Sequence, residues 1–96
     1  MQGVHVEHRP ERQRFEASVN GLACVADYRL DGRVMRMTHT GVPLPLRGHG
    51  IAAQLVAAAL AHARSEGLKV DPLCSYVARY MQRHPETQDL LVATRP

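Results

Sequence analysis

Two dipeptides, Asn20-Gly21 and Asp31-Gly32, constrain the fold of this chain more than any other feature of its sequence. Each joins a residue that tolerates left-handed backbone to a glycine, which is the composition of a two-residue hairpin turn. Each also stands between runs in which apolar and polar side chains alternate. Phe15, Ala17 and Val19 alternate with Glu16 and Ser18 before the first turn. Leu22, Cys24, Ala26, Tyr28 and Leu30 share one face of the middle run, opposite Asp27 and Arg29. After the second turn, a strand from Arg33 to about His39 sets Met35 and Met37 against Arg36 and Thr38. Three such runs joined by two tight turns predict an antiparallel meander.

Gly41-Val42-Pro43-Leu44-Pro45 ends the alternation, since proline cannot donate to a strand ladder. Ile51, Leu55, Val56, Ala59, Leu60 and Ala63 then recur at helical spacing, predicting a helix from about Gly50 to Ser65 with Gly67 as its stop. Leu68-Lys69-Val70 reads as a short strand ending at Asp71-Pro72. A second helix runs from near Ser75 to His84, where Pro85 disfavours helical geometry in the residue before it. Leu90, Leu91 and Val92 form either a last short strand or an apolar tail docked on the sheet. The expected order is β-β-β-α-β-α, an α/β (α+β) fold with a mixed sheet covered by helices. At 96 residues, the whole chain, 1–96, is expected to form one domain.

Aromatic residues make up only 4% of the chain, so Leu, Val, Ala and Met must build the core. The formal charge of +3 fits an anionic partner, either a phosphorylated cofactor or a nucleic acid. Arg9, Arg12 and Arg14 are interleaved with Glu7, Glu11 and Glu16, however, and read as a mixed solvated face. No basic run with interleaved aromatics supports a nucleic-acid platform. The longest apolar stretch, 51–61, is too short to span a bilayer, and the N-terminal residues contain no apolar leader. Cys24 and Cys74 stand far apart without metal-ligand spacing. The expectation is two free thiols in a reducing cytoplasm, no membrane span and no metal.

The segment 46–52, Leu46-Arg47-Gly48-His49-Gly50-Ile51-Ala52, lies between a strand end and an apolar helix. Two glycines let backbone approach a ligand closely, and the first helical N–H groups have no intrahelical acceptor. With the helix dipole, that arrangement suits a phosphate or pyrophosphate, and Arg47 adds a fixed positive charge. The plain alternative is a tight turn into a helix. A P-loop would need Lys-Ser/Thr after the last glycine, where this chain has Ile51-Ala52. A dinucleotide fold would need a third glycine or alanine at set spacing and a longer sheet.

Several further stretches, taken together, carry a family resemblance: Arg14-Phe15-Glu16, His39-Thr40-Gly41-Val42-Pro43, the run 47–55, Gly67-Leu68-Lys69-Val70, the run 72–80 and Arg83-His84-Pro85-Glu86. From about Arg14 to Leu91 the chain resembles the minimal, stand-alone GNAT-like N-acetyltransferases. That family places a Gln/Arg-x-x-Gly-x-Gly/Ala turn at the strand–helix junction. Here position 45, where its first residue would stand, is Pro. Either Arg47 takes over that role or the phosphates sit differently.

The resemblance implies a GNAT-like mixed sheet, acetyl-CoA as cofactor and an amine as acceptor, a protein lysine or N-terminus among the candidates. It also implies that Arg47, Gly48, His49, Gly50, Ile51 and Ala52 hold the cofactor. Arg79 and Arg83 share a neighbouring face of the second helix and either reach the cofactor phosphates or stand solvated. Cys74 stands where a strand ends and a helix begins, so a helix N-terminus can lower its thiol pKa. It either accepts the acetyl group, as the resemblance suggests, or packs as a small residue. Cys24 reads as core. Tyr76 is a candidate proton donor to the departing thiolate, although neither it nor Tyr80 aligns cleanly with the family's tyrosine, and packing of at least one on the sheet is the alternative. His39 and His49 are candidate bases near neutral pH, or polar turn residues. His5 and His8 read as exposed and terminal, and His62 as a helix-surface residue. Two functions therefore compete: acetyl transfer to an amine, and a non-catalytic acyl-CoA-binding or protein-interaction module on the same fold.

Overall fold

The computed structural model describes residues 3–93. The meander forms, with β2 (Arg14–Val19), β3 (Leu22–Asp31) and β4 (Val34–Gly41) paired antiparallel in sequence order; its second turn falls on Gly32-Arg33 rather than Asp31-Gly32, since Asp31 pairs with Val34. Asn20 and Gly21 both hold positive φ, 51° and 76°, as a type I′ hairpin requires. A strand not expected from the sequence, β1 (Glu7–Arg9), adds to the β2 edge, and β5 (Lys69–Pro72) adds parallel to β4. The sheet order is β1-β2-β3-β4-β5.

Helix α1 (Ile51–Ser65) buries the six residues of its apolar stripe, Ile51, Leu55, Val56, Ala59, Leu60 and Ala63. They meet Phe15, Ala17, Cys24, Ala26, Tyr28, Met35, Met37 and Val70 from the sheet. Helix α2 (Ser75–Arg83) sends Val77 and Met81 into the same core. Helical cover therefore lies on one sheet face. The opposite face carries Arg14 bridged to Asp27 and Arg36 bridged to Asp71, none of them fully buried. After α2, residues Pro85–Leu90 form a 3-10 turn, and Leu91 makes a single parallel bridge to Val70, so the apolar tail docks on the β5 edge.

Four burial expectations are corrected, among them Leu22, which is exposed, and His62, which is half-buried against the His8 ring. Leu30 is 52% exposed although its cross-strand partner Met35 is fully buried. Pairing of β2 with β3 ends at Asp27, so Leu30 has no strand on its other side, whereas Met35 is flanked by Val70. His8 is half-buried rather than an exposed terminal residue, because β1 stacks its ring on Phe15 at 4.2 Å.

Candidate functional site

Where β4 and β5 part company, a cleft opens. Their pairing stops at Met37 and Pro72, but β4 continues to Gly41 with β3 as its only strand neighbour. The register of β4 on β3 also shifts there. Asp27 faces His39 and Tyr28 faces Met37, leaving Thr38 unpaired as a bulge. Such a bulge bends a strand and re-aims its side chains. Pro72 cannot extend the ladder, Leu73 turns back on Asp71, and the Cys74 N–H donates to the Met37 carbonyl at 2.9 Å. Thr40 pairs with Ala26 and so faces the helices, while His39 pairs with Asp27 and faces the opposite side.

The chain next makes a 3-10 turn (Leu44–Leu46) and enters the glycine loop. Gly48 and Gly50 both adopt left-handed backbone, at φ 84° and 77°, and a Cβ on either would meet open space. Gly50 is the N-cap of α1 and has no side chain to cap with. The amide of Gln54 is the first to find a helical acceptor, the Gly50 carbonyl at 3.2 Å. Among the described residues, the six amides from Gly48 to Ala53 donate to no protein acceptor. No acidic residue occupies the first turn of α1.

This loop closes one end of a cavity of about 810 Å³ that reaches along the free stretch of β4. His39, Arg47, Gly48, Gly50, Ile51, Ala52 and Tyr76 all line it. Seven of the residues singled out in the sequence thus come together around one space. The Arg47 Nε donates to the Val42 carbonyl at 3.0 Å, which fixes its charge beside the loop. No carboxylate lines the cavity.

Other candidates stand outside it. His49 is exposed and is not among the lining residues. Arg79 and Arg83 line a separate hollow that shares Tyr76 with the main cavity. Cys74 abuts the main cavity through Thr40, whose Oγ1 lies 3.8 Å from its sulfur. Cys74 and His39 sit on opposite sides of β4 and form no nucleophile–base pair. Tyr76 is 38% exposed, whereas Tyr80 is half-buried, packs against the core and stacks on His84 at 3.9 Å.

Electrostatics divide the two thiols. Burial pushes Cys24 up. Burial also pushes Cys74 up, but the Val77 amide, the Thr40 hydroxyl and the amides of Tyr76 and Thr40 together outweigh it, and the thiol falls below its ordinary value. The helix amides act without reaching cap hydrogen-bond geometry, as dipoles aimed at the sulfur. Burial, partly offset by Arg83, raises the Tyr76 phenol, which stays protonated at neutral pH. Thr40 is not singled out in the sequence because the strand is expected to end at about His39, whereas β4 runs two residues further, to Gly41.

Sequence comparison agrees with this geometry. Residues 14–90 match the family described as GCN5-related N-acetyl-transferase. The chain belongs to that family. The mouse and human proteins called NATD1 are each 37% identical to it over 90 residues, or 91% of this chain and 82% and 80% of those proteins. The zebrafish NATD1 is 32% identical over the same share of the chain. The solution NMR structure of a GCN5-like protein from Staphylococcus aureus superposes with a TM-score of 0.75 at 24% identity, covering 99% of this chain and 94% of that one. The mixed five-stranded sheet and its helices are thus the GNAT fold. No helix among the described residues is long and apolar enough to cross a membrane.

Proposed function

We propose that this chain binds acetyl-CoA in the cleft beside β4 and transfers the acetyl group to an amine. One observation carries the reading: six consecutive backbone amides, Gly48 to Ala53, have no protein acceptor, and four of those residues, Gly48, Gly50, Ile51 and Ala52, line a cavity without a carboxylate on its wall. The first amides of a helix have no intrahelical acceptor, and Gly50 brings no side chain to cap them. An anion of pyrophosphate type satisfies several at once, with the α1 dipole behind them. The open space at the Cβ positions of Gly48 and Gly50 admits it, so the residues present fit the cofactor.

Acetyl-CoA supplies an acetyl group activated as a thioester, with a thiol as leaving group. The chain supplies the rest. Gly48 to Ala53 and Arg47 hold the phosphates, and the unpaired edge of β4 offers backbone groups to an extended chain. His39, exposed on the cavity wall, accepts a proton from the acceptor amine, directly or through water. Tyr76 lines the same cavity as a protonated phenol and donates to the departing thiolate. Cys74 stands behind Thr40 with a lowered thiol pKa, in place either to take the acetyl group first or to pack beside it. A protein lysine or N-terminus is the acceptor class proposed, and two unpaired thiols fit a reducing cytoplasm.

A second reading, a non-catalytic acyl-CoA-binding module, is favoured by the separation of Cys74 from His39 across β4. Titration calorimetry with acetyl-CoA, followed by mass spectrometry of peptides bearing a lysine or a free N-terminus, distinguishes the two. Saturable binding with acetylated peptide supports transfer, binding without product supports the module, and no heat of binding contradicts both.

A further inference from the structure

Most arginines of this chain are spoken for. Arg9, Arg12, Arg14, Arg36 and Arg64 bridge carboxylates, and Arg33 and Arg47 donate to backbone carbonyls. Arg29, Arg79 and Arg83 do neither among the described residues, and the last two stand one turn apart on α2, where their charges repel. Both line a hollow of about 280 Å³ completed by Ala53, Tyr76, Tyr80 and His84. No carboxylate enters it, and the nearby Glu86 faces a different hollow alongside Arg64. Its wall includes a flat aromatic pair, Tyr80 and His84, 3.9 Å apart and 15° from parallel. The His84 Nδ1 donates to the Tyr80 carbonyl at 2.7 Å, which holds that ring in place.

This hollow is not isolated. Tyr76 lines both it and the main cavity, and Ala53 carries the last of the six unpaired amides. At ~1.5 Å per residue, Ala53 stands about 4.5 Å along α1 from Gly50, a separation on the scale of one ribose. We infer that Arg79 and Arg83 form a second anion subsite that takes the phosphomonoester on the ribose of a CoA-type cofactor, with the Tyr80–His84 stack offered to its purine. Guanidinium pairs suit a terminal phosphate, which accepts from several N–H groups at once. The inference rests on the acetyl-CoA reading above and adds a specificity to it: the protein tells CoA from 3′-dephospho-CoA.

Calorimetric titration of the intact protein with CoA and with 3′-dephospho-CoA tests this, repeated on Arg79→Gln/Arg83→Gln and on Arg47→Ala, with circular dichroism to confirm folding. A phosphate held by charge-assisted hydrogen bonds predicts about tenfold to a hundredfold tighter binding of CoA by the parent. The double variant is expected to lose that preference while binding 3′-dephospho-CoA as the parent does. Arg47→Ala is expected to weaken both ligands alike and keep the ratio. Equal affinities in the parent, or a ratio preserved in the double variant, overturn the second subsite while leaving the acetyl-CoA reading standing. Failure of the parent to bind either ligand overturns that reading and this inference with it.

Discussion

His8 and His62, far apart in sequence, stand with ring centroids 4.3 Å apart over Phe15, and the Tyr28 hydroxyl meets the His8 Nε2. Burial first, then the neighbouring His62, hold the His8 imidazole below its ordinary value of 6.5, against a weaker upward pull from Glu11. An unfolded His8 takes its proton near 6.5, and the folded one only at lower pH. Its contribution to stability is therefore fully present above 6.5 and is lost as pH falls through the folded value. The thermal midpoint is expected to drop between about pH 7 and about pH 5, and His8→Gln to flatten that drop. Identical pH profiles for parent and variant would show that β1 docks without regard to this ring. Cys74 gives the second residue-scale prediction. With its thiol lowered and Cys24 raised and fully buried, Cys74 should react with iodoacetamide well over tenfold faster. Bound CoA should slow it, and mass spectrometry after acetyl-CoA treatment shows whether it carries acetyl. Equal rates at the two cysteines would leave Cys74 as packing.

Elements carry the site through two devices, a strand that outruns its neighbour and a helix that begins without a cap. Gly48→Ala and Gly50→Ala each force a side chain into left-handed backbone, at about 1–2 kcal/mol of stability, and set a methyl group where a phosphate would approach. Both are expected to weaken acetyl-CoA binding at least tenfold. Gly67→Ala is the matched control. Its φ is 68° and its methyl would stand 2.8 Å from an Arg33 nitrogen, so it should lose comparable stability yet bind as the parent does. Loss of binding in all three would assign the effect to destabilisation rather than to the loop. The two hairpin turns, the α1 stripe and the glycine loop were legible because each depends on near neighbours in sequence. Strand β1 was not, since Glu7-His8-Arg9 shows no apolar alternation and its core contact is a histidine. The bulge at Thr38 and the parting of β4 from β5 were equally hidden, because they arise from pairing between distant strands. Eleven candidate site residues could be named from sequence, but not that only seven of them line one cavity, nor that Cys74 and His39 face opposite ways.

At the scale of the molecule, one sheet face holds both helices and the whole core, while the other is a lattice of ion pairs open to water. Those pairs are partly exposed and add little stability each, so the fold depends on a core of Met35, Met37, Ile51, Leu55 and their neighbours. The cleft lies where that core ends, and cationic groups border it with no carboxylate on its wall. This asymmetry favours an anion at the head of α1. Titration of the ¹⁵N-labelled protein with acetyl-CoA, with every backbone amide followed by NMR, tests whether one binds there. The largest shifts are expected at Gly48 to Ala53, with Thr40 and Gly41 following on β4, all saturating together and weakening as salt is raised. Saturating shifts that leave these six amides unmoved, or no shifts at all at millimolar acetyl-CoA, would contradict it.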